Sequence, residues 1–250
     1  MLKKIYKEPK IPSFWKVMHF NTLLYTSILE KKKKRQESFS KPKKNNFLEI
    51  INETIPAAQE EYKYICNKLM VFVNDISRNI SSVDSKYHSY PSETPIKNYQ
   101  LLSKMPLRDH LIRSFTQTII LYSNKKPPDF IAIVAAMALS HDIGKIEYIA
   151  NQFPYDRTKG KLHHDEISAL WVLNYFDEDI RMGVVSKESI VLIANTIKAR
   201  HFHKEARLEN PSHVKQVVTD YLLCLRDVDE SARNIETKIL KNEQLSGQTL

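Results

Sequence analysis

The run from Ile131 to Leu139 constrains the fold more than any other stretch. Ile131, Ile133, Val134, Ala135, Ala136, Met137, Ala138 and Leu139 leave a helix of that length almost no polar face. A helix that is apolar nearly all round has to be enclosed by other elements. A helix over Asp129 to about His141 is therefore expected at the centre of the chain. Pro127 and Pro128 precede it and suit a helix opening. It closes on an adjacent pair, His141 and Asp142, followed by the turn residue Gly144 and by Lys145. Imidazole and carboxylate side by side can ligate one divalent cation, and the carboxylate can bridge two.

What encloses that helix follows from the rest of the chain. Only 4 glycines occur in 250 residues, against a turn-dense β fold and against glycine-rich phosphate loops. An all-α fold is expected. Apolar spacings of three and four mark amphipathic helices. They run through Leu48, Ile51 and Ile55, then through Ile65, Leu69, Phe72, Val73 and Ile76. Another starts near Pro106 and carries Leu111, Phe115, Ile119 and Tyr122. Beyond the central helix, Asp165 and Glu166 suit the positive first turn of a helix bearing Ile167, Leu170, Trp171 and Leu173. Ser186 is the expected cap of the next, with Ile190, Ile193, Ala194 and Ile197. A last helix covers Val214 to about Leu240, with Val218, Leu222, Leu225, Asp229 and Ala232 on one stripe. Residues Asn79 to Asn98 and Ile149 to Lys161 read as loops.

The formal charge is +9, and much of the excess lies in Lys31 to Arg35 and Lys41 to Lys44. Such a surface draws phosphate-rich partners such as a nucleotide or nucleic acid. These charges also read as a solvated linker. Residues 1–46 are thus expected to form an arm, a helix over Phe14 to Leu29 and the linker; residues 47–240 the helical domain; and 241–250 a tail. Phe14 to Leu29 is interrupted by Lys16, His19 and Asn21, so neither a secretory signal nor a membrane span is expected. Cys66 and Cys224, far apart and without paired spacing, suggest no disulfide framework and fit a cytoplasmic setting.

Several histidines and carboxylates fall where an apolar stripe would ask for a hydrophobe: His110, His141, Asp142, His164 or His163, His201, and one of Asp227 and Asp229. Buried groups of this kind need partners. Ile167 and Trp171 put His164 on the buried side, leaving His163 to cap the helix or touch substrate. The stripe ending at Ile197 continues to His201, with His203 as a phosphate-contacting alternative. Asp229 lies on the apolar stripe of the last helix, and Asp227 faces away on a straight helix.

In this order and on these helices, His110, the His141-Asp142-Ile143-Gly144-Lys145 segment and a late Asp resemble the HD-domain superfamily of metal-dependent phosphohydrolases, over roughly residues 105 to 235. Val228-Asp229 is similar to the family's Ala-Asp ending, and His164 and His201 resemble the extra ligands of members that hold two metals. The resemblance implies a helical bundle with divalent cations, a pair of them, held between helices. The mixed ligand set suits manganese, iron, cobalt, nickel or zinc better than magnesium.

It also implies hydrolysis of a nucleotide or nucleic-acid phosphoester by a metal-activated water, with Asp142 as the bridge and Lys145 neutralising a phosphate oxygen. Arg200, with Arg157, Lys159 and Lys161, would hold the rest of the substrate. Members that cleave cyclic dinucleotides carry Gly-Tyr-Pro after the later histidine, where this chain reads Asp165-Glu166-Ile167-Ser168. Two alternatives stand beside the enzyme. One is a DNA-processing protein similar to HD-type conjugative relaxases, suggested by the N-terminal helical region and Pro91-Ser92-Glu93, although residues 94 to 109 lack that family's histidine cluster and glycines. The other is a regulatory module that binds a nucleotide or nucleic acid without turnover.

Overall fold

The computed structural model describes residues 51–83, 98–153, 162–202 and 213–247, except for the side chains of 201, 202, 213–218 and 244–247. The expected N-terminal arm, helix and linker, most of the Asn79 to Asn98 loop, and the basic residues Arg157, Lys159 and Lys161 lie outside the described residues. So does His203.

Among the described residues the chain is helical, with no strand beyond one isolated bridge between Ser81 and Pro106. After helical backbone at 51–54, the helices in chain order are α1 (Glu60–Asp75), α2 (Tyr99–Leu102), α3 (Leu107–Tyr122), α4 (Pro128–Ser140), α5 (Glu147–Ala150), α6 (His164–Tyr175), α7 (Asp177–Arg181), α8 (Lys187–Phe202) and α9 (His213–Gly247). A 3-10 turn, Ile143–Lys145, separates α4 from α5. No helix is long and apolar enough to cross a membrane.

α4 is the hub. Every residue from Ile131 to Ser140 is buried, and α1, α3, α8 and α9 all pack on it. A fully buried side chain such as Met137 or Leu139 contributes roughly 2 kcal/mol. α1 turns Ile65, Cys66, Leu69, Met70 and Val73 inward, and α3 does the same with Leu107, Leu111 and Phe115. Pro106 stands just before α3, one residue outside the first-turn position its fixed φ suits equally well.

The helix starts are chemically marked. Ser186 Oγ accepts from Ser189 N at 3.2 Å and donates to Glu61 Oε1 at 2.7 Å, which ties the start of α8 to α1. At α6, His163 is the cap: its Nδ1 accepts from Asp165 N at 3.5 Å, while Glu166 Oε2 accepts from His163 N at 3.3 Å. α9 runs on to Gly247, past the expected end near Leu240. Past Leu240, Lys241, Glu243, Gln244 and Leu245 favour helix and offset Asn242 and Ser246.

Candidate metal centre

Four helix-borne segments converge on one buried point. α3 contributes His110 from a stripe that also buries Leu107, Leu111 and Ser114. The end of α4 contributes His141 and Asp142, α6 contributes His164 and Asp165, and α9 contributes Asp229. His110, His141, Asp142 and Asp165 have no exposed surface.

The close approach of the 3-10 turn Ile143–Lys145 to α6 depends on Gly144. Its N–H donates to Ser168 Oγ at 2.8 Å. A Cβ there would stand 2.1 Å from the backbone oxygen of His164. Only a residue without a side chain lets the turn after Asp142 lie against the first turn of α6.

Within the cluster, His110 Nε2 lies 3.4 Å from His141 Nε2, 3.6 Å from Asp142 Oδ2 and 3.3 Å from Asp229 Oδ1. His141 Nε2 lies 3.5 Å from Asp142 Oδ2 and 3.9 Å from Asp229 Oδ1. Ligand atoms held tetrahedrally at about 2.1 Å from one ion stand about 3.4 Å apart.

The outer nitrogens are held as a metal site requires. His110 Nδ1 donates to Glu236 Oε1 at 3.0 Å, and His141 Nδ1 donates to the Ala138 carbonyl at 2.9 Å. Both Nε2 lone pairs then face inward. Burial, partly opposed by Asp142, depresses the His141 pKa to about 3, so this ring is neutral at physiological pH. Asp229 Oδ1 is buried and has no well-formed hydrogen bond, with His110 Nε2 3.3 Å and Arg233 Nε 3.6 Å away. Facing lone pairs beside an unsatisfied carboxylate oxygen are costly without a cation and favourable around one. His110, His141 and Asp142, whose ligand atoms lie within 4.8 Å of one another, could hold a divalent metal ion, with Asp229 Oδ1 beside them.

Cations also surround the carboxylates. Asp142 Oδ2 accepts from Lys145 Nζ at 2.6 Å and from Arg233 at 3.4 Å, and its Oδ1 accepts from Arg200 at 3.2 Å. Burial alone would raise the Asp142 pKa, but Lys145, His141 and Arg200 hold it well below the usual carboxylate range. At Asp229 burial is likewise outweighed, with Arg200 the first counterweight. Lys145 and Arg233 both also donate to the Ser82 carbonyl, at 2.9 and 2.8 Å.

The sequence-derived residues thus separate. His110, His141, Asp142, His164, Asp229, Lys145 and Arg200 meet in this cluster. Asp227 does not: it is exposed and accepts from Tyr122 Oη at 3.0 Å. Arg200, expected to reach for substrate, is spent on Asp142 and Asp229. His163 caps α6 at the edge of the cluster, with Nδ1 3.4 Å from Asp165 Oδ2. His201 falls in the last turn of α8, and its side chain lies outside the described residues.

Four participants were not singled out from sequence: Glu236, Arg233, Ser82 and, as a member of the cluster, Asp165. Glu236 had a signal, since the stripe Leu225, Val228, Ala232 continues to Glu236 and Leu240, all buried. Asp165 reads in sequence as a helix-dipole residue. Its burial comes from the seam between α6 and α8.

Two predictions follow from this geometry. Glu236→Gln is expected to weaken metal affinity by roughly 10- to 100-fold, because the charged acceptor that orients His110 is lost; calorimetric titration with Mn²⁺ checks it. The second concerns acid. Unfolded His141 titrates near its ordinary 6.5 and folded His141 near 3, so the unfolded chain takes up the proton first. Its contribution is complete above pH 6.5 and is lost as pH falls toward 3. Metal-free protein should lose about 2 kcal/mol of stability between about pH 7 and 5 from this residue. Urea unfolding with chelator, compared with His141→Gln, reads it out, and equal pH slopes in the two proteins would contradict it.

No family model, no curated protein and no solved structure matches the chain.

Proposed function

We propose that this chain is a metal-dependent phosphohydrolase of the HD type, acting on a nucleotide or nucleic-acid phosphoester. The observation that carries the proposal is the inward-facing set of His110 Nε2, His141 Nε2, Asp142 Oδ2 and Asp229 Oδ1, with separations of 3.3 to 3.9 Å among the pairs above and each imidazole anchored through Nδ1. This set would hold a divalent cation of the manganese, iron, cobalt, nickel or zinc class. Such an ion, when bound, supplies Lewis acidity toward a phosphoryl oxygen and lowers the pKa of water.

The remaining work belongs to the chain's own side chains. Glu236 and the Ala138 carbonyl fix the two imidazoles in the tautomer that presents a lone pair. Lys145 and Arg200 hold the Asp142 carboxylate in its ionised form, and the positive charge of Lys145 favours an incoming phosphoryl group at the same point. Enclosure by α3, α4, α6 and α9 keeps the local dielectric low, which strengthens each of these interactions. The chain's +9 charge favours encounter with an anionic substrate.

The test is hydrolysis of bis-p-nitrophenyl phosphate, nucleoside triphosphates and short oligonucleotides by protein loaded with Mn²⁺. Metal-dependent turnover, lost with chelator, is expected. Metal binding without turnover of any phosphoester would overturn the enzymatic reading in favour of a regulatory module.

A further inference from the structure

Beside the four inward-facing atoms is a second group of ligating character. His164 Nε2 lies 3.4 Å from Asp142 Oδ1 and 3.2 Å from Asp165 Oδ1. A second ion bridged by Asp142 would need this corner. It holds a guanidinium instead. Arg200 places one terminal nitrogen 3.2 Å from Asp142 Oδ1 and 3.9 Å from Asp165 Oδ1, and the other 2.5 Å from Asp229 Oδ2.

We infer that Arg200 is the resident second cation of this site and restricts the chain to one metal ion. The inference rests on the metal-binding reading proposed above and sharpens it, replacing the pair of ions implied by the sequence resemblance.

Three observations argue for it. The first is geometric: a planar fork can bridge two carboxylates at once, as Arg200 does between Asp142 and Asp229, and an ammonium or a small ion cannot span them the same way. The second is anchorage. Only a small part of the Arg200 side chain is exposed, and its backbone carbonyl accepts from Arg226 at 2.8 Å, so the fork is built into the α8–α9 contact.

The third is charge. The four carboxylates Asp142, Asp165, Asp229 and Glu236 are equalled in number by the four cations that contact them, Lys145, Arg113, Arg200 and Arg233. One divalent ion adds two positive charges, which suits the two negative charges of a phosphate monoester. A second ion would double that excess in a buried site, where unbalanced charge is heavily penalised.

The experiment counts ions with Mn²⁺ alone as the probe. Wild-type protein, Arg200→Gln and Arg200→Lys are each equilibrated with Mn²⁺ and desalted. Metal per chain is measured by elemental mass spectrometry, and paramagnetic resonance distinguishes an isolated Mn²⁺ from an exchange-coupled pair. Wild type is expected to hold one isolated ion, and Arg200→Lys, which keeps the charge but loses the fork between Asp142 and Asp229, to hold more than wild type and less than Arg200→Gln. Arg200→Gln, which removes both, is expected to approach two ions per chain with a coupled signal.

Two ions on the wild-type chain would overturn the inference and leave the metal-binding reading intact. One ion on a folded Arg200→Gln chain would overturn it too, since Arg200 would not then be what limits the count. No ion on the wild-type chain would overturn the metal-binding reading itself. Because the wild-type count alone can refute the inference, it stays falsifiable even if a variant fails to fold.

Discussion

Replacing Asp142 with alanine is expected, under the proposed phosphohydrolase function, to reduce turnover by roughly a thousandfold or more and to destabilise the protein at the same time. The catalytic loss follows from removing a ligand oxygen from the point where His110 and His141 converge. A metal's Lewis acidity supplies several kcal/mol of charge stabilisation, and about 4 kcal/mol corresponds to about a thousandfold in rate. The stability loss has a separate origin. Lys145, Arg200 and Arg233 all address this carboxylate, which has no exposed surface. Breaking a buried ion pair from one side costs about 3 to 5 kcal/mol, because the stranded charge remains. Binding titration, steady-state rates and urea unfolding on the same variant separate the two effects. Asp229→Ala should reproduce the catalytic loss, whereas Asp227→Ala should leave rates within about twofold. A thousandfold loss at Asp227 with none at Asp229 would mean that α9 presents the wrong carboxylate.

Gly144→Ala is the largest purely structural effect expected. Its Cβ would meet the His164 carbonyl oxygen at 2.1 Å, the His164 carbonyl carbon at 2.9 Å and Ile167 Cβ at 2.9 Å. Two of those atoms are backbone, so relief requires moving the start of α6 and not merely turning a rotamer. Overpacking of this kind costs about 3 kcal/mol when the neighbour cannot yield. For a domain of this size that corresponds to a melting temperature lower by roughly 6 to 12 °C. The same displacement would carry His164 and Asp165 away from Asp142, so metal binding should weaken alongside stability. Thermal unfolding by circular dichroism settles the point, and a change under about 2 °C would show that α6 is not held against this turn.

Much of this architecture is legible along the chain, for a simple reason. Periodic burial is a one-dimensional signal: the unbroken apolar run of α4, the stripes of α3 and α8, and the Ser186 cap depend on residues within a turn or two of one another. Asp227 and Asp229 also separate by periodicity, since two residues along a helix turn the side chain to the opposite side. Glu236 was equally accessible by that logic, three turns beyond Leu225 on the same buried stripe, but a charged residue near the expected end of a helix reads as solvent-facing. Capping by His163 is one of the two roles its place before α6 allows, and the structure selects it even though serine, threonine, aspartate or asparagine is the usual cap.

The residue order alone requires helix across the described segments, a central α4, and inward positions for His110, His141, Asp142 and Asp229. Local spacing is enough for each of these. Only the tertiary structure decided the partners: that Glu236 orients His110, that Ser82 is shared by Lys145 and Arg233, that Gly144 lets α6 close on the turn after Asp142, and that Arg200 is taken up by Asp142 and Asp229. Those pairings join residues from 29 to 151 positions apart or bring backbone within contact of backbone. The direction in which a long charged side chain finally points depends on which carboxylates the packed helices bring within its reach.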